Sequence, residues 1–332
     1  MDILITMTIL VVIFALAFDF INGFHDTANA IATSVSTRAL PPRVAVLLAA
    51  VMNFIGAITF TGVAKTITKD IVNPFDFDNG LIVILAALIS AIAWNLITWY
   101  YGIPSSSSHA LIGSIAGASI SAAGFGILNY SGFGSILAAL LISPFLALGV
   151  GFLMMTLFKF LFQKTSLYHT NKGFRIFQIG TASLQAFTHG TNDAQKAMGI
   201  ITMALIAAGM QTSTDIQLWV RISCAIAMGL GTSIGGYKII KTVGGKIMKI
   251  RPINGAAADL SSALIIFGAT TIHLPVSTTH VISSAIMGVG SAQRVKGVKW
   301  GVARKIVITW IITLPISATL AAIVYQLLNL FF

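Results

Sequence analysis

Several windows of this sequence run for 18 residues or more without a charge, including 44–62, 81–101, 135–158 and 306–332. A helix rises about 1.5 Å per residue, so each window is long enough to cross ~30 Å of hydrocarbon. Within lipid every backbone N–H and C=O must be bonded inside the chain, which leaves helices or a closed barrel. These runs are continuous and lack the alternating polarity of barrel strands, which excludes the barrel. The expected fold is an all-α polytopic membrane protein. Composition agrees, with 56% hydrophobic and 9% charged residues. The first apolar run, 3–18, has no basic segment before it and no small-residue cleavage site after it, so it is expected to be retained.

Two polar motifs interrupt this apolar background, and they are versions of one another. The first is Gly23-Phe-His25-Asp26-Thr-Ala-Asn29-Ala30 and the second Gly190-Thr-Asn192-Asp193-Ala-Gln-Lys196-Ala197. They align at an offset of 167 with Gly, Asp and Ala in register. A second pair follows each of them: Pro104-Ser-Ser-Ser-Ser108-His109 and Pro275-Val-Ser277-Thr278-Thr279-His280, offset by 171. The chain therefore reads as a duplication, with a first repeat at 1–158, a cytoplasmic linker at 159–175 and a second repeat at 176–332. A break at Asn22-Gly23 is expected to split the first helix at its motif.

Charge sets the orientation. Sixteen of the 20 Lys and Arg fall in 37–43, 159–175, 238–251 and 292–305. If both termini face outside and each half crosses five times, all four segments are inner loops, a strong positive-inside bias. The outer loop 64–80 mixes Lys65 and Lys69 with Asp70, Asp76 and Asp78. This placement accounts for the net charge of +11 better than nucleic acid binding does. Equivalent loops of opposite charge and an odd number of crossings per half make the repeats inverted, the architecture of many secondary transporters. About ten crossings are expected, with broken or re-entrant helices at the motifs. The single cysteine, Cys224, excludes internal disulfides and cysteine-only metal clusters.

Ionisable groups inside a bilayer mark ion or substrate pathways. Helices starting at Pro104 and Pro275 would present free N–H groups, hydroxyls and a positive dipole end, a combination that suits a tetrahedral oxyanion. The same hydroxyls of Ser106, Ser107, Ser108, Ser277, Thr278 and Thr279 can instead cap or bond their own helices. Asp26 and Asp193 can bind a cation, pair with a base or carry a proton. Lys196 stands where Asn29 stands in the first motif, and its ammonium supplies the charge a sodium ion would bring. That favours proton over sodium coupling. His25, beside Asp26, is a candidate proton carrier. Asp259 is expected near a helix start after Pro252, and Arg221 to snorkel to the interface.

The stretches NGFHDTANAIAT at 22–33 and HGTNDAQKAMGI at 189–200, with PSSSSH and PVSTTH, resemble the inorganic phosphate transporter (Pit) family across nearly the whole chain. The resemblance implies a cation-coupled symporter that imports inorganic phosphate and is not an enzyme. It carries over Asp26, Asn29, Asn192 and Asp193 and the two hydroxyl runs as the site. Many relatives have asparagine at His25 and a neutral residue at Lys196. Those departures resemble the bacterial proton-coupled branch, in which a neutral complex of phosphate with a divalent metal is carried. No other cofactor is expected; the metal and its ligands are left open. Expected partners are inorganic phosphate, the lipid bilayer and a second copy of the chain in a homodimer. The expected location is a prokaryotic cell membrane with both termini outside.

Two alternatives keep the fold: a sodium-coupled phosphate symporter and a sulfate permease. An alternative from another class is an intramembrane aspartyl protease using Asp26 and Asp193, which needs two carboxylates sharing a proton. It leaves the flanking amides, Lys196 and the hydroxyl runs without a role.

Overall fold

The computed structural model describes residues 3–72, 80–234 and 236–331, without the side chain of Tyr237. Asp76 and Asp78 of the expected outer loop lie outside these residues. The described chain is built from twelve α-helices: α1 Ile3–Ser36, α2 Pro42–Thr59, α3 Gly62–Asp70, α4 Gly80–Tyr101, α5 Ser107–Ala123, α6 Tyr130–Phe162, α7 Leu167–Ala207, α8 Leu218–Ile234, α9 Tyr237–Gly245, α10 Pro252–Thr271, α11 Thr278–Gln293 and α12 Trp300–Leu328. Among the described residues, α1, α2, α4, α6, α10 and α12 are long and apolar enough to cross a bilayer. Counting α8 with α9 as one bent span makes a seventh. α7, at 41 residues, also has the length but carries the second polar motif. The outward faces of α6 and α12 are apolar, with Phe145, Leu153, Ile311 and Ile323 exposed, as lipid contact requires.

The first six helices match the last six. Pro144 of α6 and Pro315 of α12, offset by 171, both sit inside helices. Packing follows the same exchange. α1 lies on α8 and α2 on α7, while α5 lies on α12 and α11 on α6. The short helix of each half, α3 or α9, packs on the long motif helix of the other half.

The break expected at Asn22-Gly23 is absent: α1 runs through its motif, and α7 through its own. Neither motif contains the proline that would break a helix. Gly23 serves a close approach instead. A Cβ there would stand 2.5 Å from the Met228 carbonyl oxygen, and one on Gly190 would stand 2.3 Å from that of Asn53. Chain breaks do occur at the Pro-Ser/Thr-His stretches. α4 and α10 end at Gly102 and His273, both left-handed at φ 65° and 63°, and extended tips lead into α5 and α11. These tips are the broken helices of the fold.

Several expected loops are partly helical. The connection between the halves is non-helical only at 163–166, because the flanking residues of 159–175 extend α6 and α7. Helix α9 occupies much of 238–251 and α3 much of 64–80. The four basic segments meet on one face. One cavity there holds about 370 Å3 beside Arg38, Arg175 and Arg251. A second, of about 430 Å3, lies beside Lys159, Lys249, Arg251 and Arg294. Elsewhere Lys65 of α3 lies 2.5 Å from Asp215, and its hydrogen bond and charge hold that carboxyl below the ordinary range.

Two apolar clusters form the core, with a polar layer between them. One contains Val11, Ala15 and Phe18 of α1, most of α4 and α5, apolar residues from Ala197 to Leu205 of α7 and Cys224 to Met228 of α8. The other contains Ala28 to Ala32 of α1, Ala45 to Ala49 of α2 and much of α9, α10 and α11. The layer holds residues 19–27 of α1, Asn53 of α2, 188–193 of α7 and Thr232 of α8, all polar members of which are buried.

Candidate functional site

Both tips end in the polar layer. Ser106 and Ser277 are helix N-caps, accepting from the N–H of His109 at 3.1 Å and of His280 at 3.3 Å. The capping role therefore holds for these two hydroxyls. The next hydroxyls point elsewhere. Ser107 donates to Asp26 Oδ2 at 2.5 Å, and Thr278 donates to Asp193 Oδ2 at 3.1 Å. Each aspartate is thus tied to the tip of its own half. Thr279 crosses between halves, donating to Asp26 Oδ1 at 3.1 Å while it accepts from Asn29 Nδ2 at 2.9 Å. Ser108 donates to the Val276 carbonyl at 2.9 Å and joins the tips directly.

The residue before each aspartate braces its own tip. His25 and Asn192 are equivalent in the repeat. His25 Nε2 lies 3.2 Å from Thr98 Oγ1, which is 2.7 Å from Ser105 Oγ. Asn192 bonds Thr270 and the carbonyl of Leu274 through Nδ2 and accepts from the N–H of Val276. Thr98 also reaches the backbone carbonyls of Trp94 and Asn95 at 3.0 and 3.1 Å. His25 Nδ1 lies 2.7 Å from Asp26 Oδ1, so the imidazole bridges the Thr98 hydroxyl and the carboxylate.

Asp193 has a different shell. Lys196 Nζ donates to its Oδ1 at 2.5 Å, Asn22 approaches at 3.5 Å, and His189 Nε2 lies 3.2 Å away. His189 Nδ1 faces Asn53 Oδ1 at 3.0 Å, and Asn53 Nδ2 donates to Thr27 and Thr232, which fixes that amide's orientation. Asp26 and Asp193 have separate partners and share no proton, unlike the carboxylates of an aspartyl protease dyad.

All twelve residues expected from the sequence come together: His25, Asp26, Asn29, Ser106, Ser107, Ser108, Asn192, Asp193, Lys196, Ser277, Thr278 and Thr279. None is more than 1% exposed, so the layer is closed to both sides in this conformation. The rings of His109 and His280, in the first turns of α5 and α11, lie against each other with centroids 4.4 Å apart and planes tilted by 38°. Asp259 departs from expectation. It lies seven residues into α10, buried, and accepts from Thr33 at 2.6 Å and Thr181 at 3.3 Å. Arg221 is half-buried, and its guanidinium donates to the Ile58 carbonyl near the end of α2. Asp19, Asn22, Asn53 and His189, all buried in or beside the layer, were not among the expected site residues. The signal for the first two was spacing: 19, 22, 26, 29 and 33 form one polar stripe on an unbroken helix.

Comparison with known proteins shows the family. The sequence model of the phosphate transporter family matches residues 22–321. A Bacillus subtilis (strain 168) protein named "Probable low-affinity inorganic phosphate transporter" is 71% identical over the full length of both chains. One of the same name from Rhizobium meliloti (strain 1021) is 44% identical over 94% of this chain and 93% of its own. A solved structure titled "The sodium-dependent phosphate transporter" superposes with a TM-score of 0.88 at 27% identity, covering 98% of this chain and all of the other. The chain is a multi-pass membrane protein that belongs to the phosphate transporter family.

Proposed function

We propose that this protein imports inorganic phosphate across a prokaryotic cell membrane by symport with protons. The observation that carries the coupling ion is Lys196, whose ammonium lies 2.5 Å from Asp193 in a site with no exposure. A resident cation leaves little room for sodium at this carboxylate, because like charges repel strongly at low dielectric. His25 and Asp26 are the proton carriers in this reading, supported by their 2.7 Å contact. The anion binds between the tips, with Ser107, Ser108, Thr278 and Thr279 turning from their present acceptors to its oxygens and the starts of α5 and α11 supplying N–H groups. Asn29 and Asn192 hold the tips against α1 and α7. A divalent metal travels with phosphate as part of the cargo, and a second copy completes a homodimer.

The halves act as inverted repeats, with both termini outside. The meeting of all four basic segments on one face supports this orientation, since such a face belongs inside. One observation favours sodium as a second reading. Asp26 has hydroxyl neighbours, an unbonded Asn29 Oδ1 nearby and, among the described residues, no lysine bonded to it, a suitable shell for a hard cation. Uptake of labelled phosphate into proteoliposomes under a single imposed gradient separates the two. A proton gradient alone should drive accumulation and a sodium gradient alone should not; the reverse result overturns the proposal.

A further inference from the structure

Three carboxylates lie in or at the edge of the polar layer, and two are accounted for. Asp26 is compensated by His25, Ser107 and Thr279, and Asp193 by Lys196, His189 and Thr278. The third, Asp19, is fully buried, and among the described residues neither of its oxygens has a hydrogen-bond partner. It sits one turn before Asn22, which approaches Asp193, on the edge of the layer that adjoins the apolar cluster of Val11, Ala15 and Phe18.

The charged and titratable groups around Asp19 are few. From α7, Asp193 and Lys196 act on it electrostatically, and from α8 Cys224 does. His25 and Asp26 lie two turns along its own helix. α4, which packs on α1, has only Tyr100 and Tyr101 at its far end. The Lys196 ammonium is already bonded to Asp193 at 2.5 Å. His189 of α7 faces the other oxygen of Asp193 at 3.2 Å, and Arg221 of α8 donates to the Ile58 carbonyl. Among the described residues no cation bonds Asp19.

An ionised carboxylate buried without a partner costs several kcal/mol, whereas a neutral carboxylic acid costs far less. Nor do the surroundings suit a metal ion: among the described residues no three His, Cys, Asp or Glu side chains converge to hold one. A proton needs no such shell. We infer that Asp19 is a proton-coupling site, loaded from the outer side, whose protonation is the condition for the apolar cluster around Val11, Ala15 and Phe18 to close over the cargo. The proton comes from outside water and binds one carboxylate oxygen. No bond within the protein breaks. The proton leaves to water that enters the layer when the opposite cluster parts. This rests on the proton-symport reading and adds a second, separate proton acceptor to His25 and Asp26.

The test is the limiting phosphate accumulation ratio in proteoliposomes, measured against imposed pH gradients with the membrane potential clamped at zero. Each coupled proton multiplies this ratio about tenfold per unit of gradient. Asp19→Asn, which mimics a permanently protonated side chain, should lower the ratio about tenfold at one unit, and Asp19→Glu should restore the wild-type slope. Detectable exchange of labelled for unlabelled phosphate certifies that a variant is folded. A wild-type slope that Asp19→Asn leaves untouched overturns the role of Asp19. A wild-type slope of zero overturns proton symport itself. Infrared spectroscopy of the closed protein gives an independent reading should Asp19→Asn fail to fold. A protonated carboxylic acid band should be present in the wild type and move in Asp19→Glu; its absence from the wild type overturns the inference.

Discussion

Replacing Lys196 with asparagine makes the second motif match the first at this position, and its consequences can be worked from the site. Lys196 and Asp193 are both 0% exposed, and the ammonium lies 2.5 Å from the carboxylate. Removing one partner of a buried pair leaves the other charge uncompensated, which costs about 3–5 kcal/mol. Thr278 at 3.1 Å and Asn22 at 3.5 Å remain as neutral donors, and His189 at 3.2 Å stays where it already was, so none of them replaces the lost ammonium. The vacated space suits a sodium ion, which would stabilise the folded protein by about 2.7 kcal/mol at a hundred times its dissociation constant. Thermal unfolding of the purified protein reads this directly. Lys196→Asn should melt well below the wild type in sodium-free buffer and recover as sodium replaces a large organic cation, while the wild type should be indifferent to sodium. In proteoliposomes the variant should lose proton-driven uptake. The reasoning fails if the wild type is stabilised by sodium as strongly as the variant, or if the variant melts like the wild type without it.

Other outcomes follow from the same geometry. Ser107→Ala combined with Thr278→Ala removes a hydroxyl from each tip; at roughly 1.5–3 kcal/mol per hydrogen bond to a charged group, apparent phosphate affinity should fall more than tenfold. An unchanged affinity in folded protein would mean that these hydroxyls serve only Asp26 and Asp193. Single cysteines placed at Lys164 and Lys65 should label from opposite sides of the membrane, and labelling from one side would rule out the proposed topology. Gly231→Ala should lower the melting temperature by an amount equivalent to about 1–3 kcal/mol or more, because its Cβ would stand 1.9 Å from the Phe20 carbonyl oxygen. Gly126→Ala, with nothing within 4 Å of the new atom, should leave it unchanged. Lys65→Ala should not measurably alter stability, since its pair with Asp215 is exposed.

Fold class was legible because charge-free windows leave a chain in lipid few options. The site residues were legible because a duplicated polar motif in an apolar chain has few structural explanations. The course of α1 was not. Asn22-Gly23 looks like a turn, yet the glycine is there so that the α8 backbone can reach α1. Reading a break at that point split the stripe 19, 22, 26, 29, 33 in two and hid Asp19. Asp259 was misplaced for a related reason. Its carboxylate is held by Thr33 and Thr181, from two other helices, and nothing local to 252–259 announces them. The short helices α3 and α9 looked like loops because their charges mark a membrane surface, where a helix and a loop read alike.

If two halves of one chain were identical, a rocking motion that exchanged their roles would turn each end state into a copy of the other. The two states would then have equal energy by symmetry, and the resting protein would show no preference between them. In this chain the polar layer breaks that symmetry at several positions, and four of the pairs differ in the charge they can carry: Asp19 against Ala186, Asn22 against His189, His25 against Asn192 and Asn29 against Lys196. A preference for one end state that arises from these four comes from charge, and so depends on which protons and ions are bound when the protein moves.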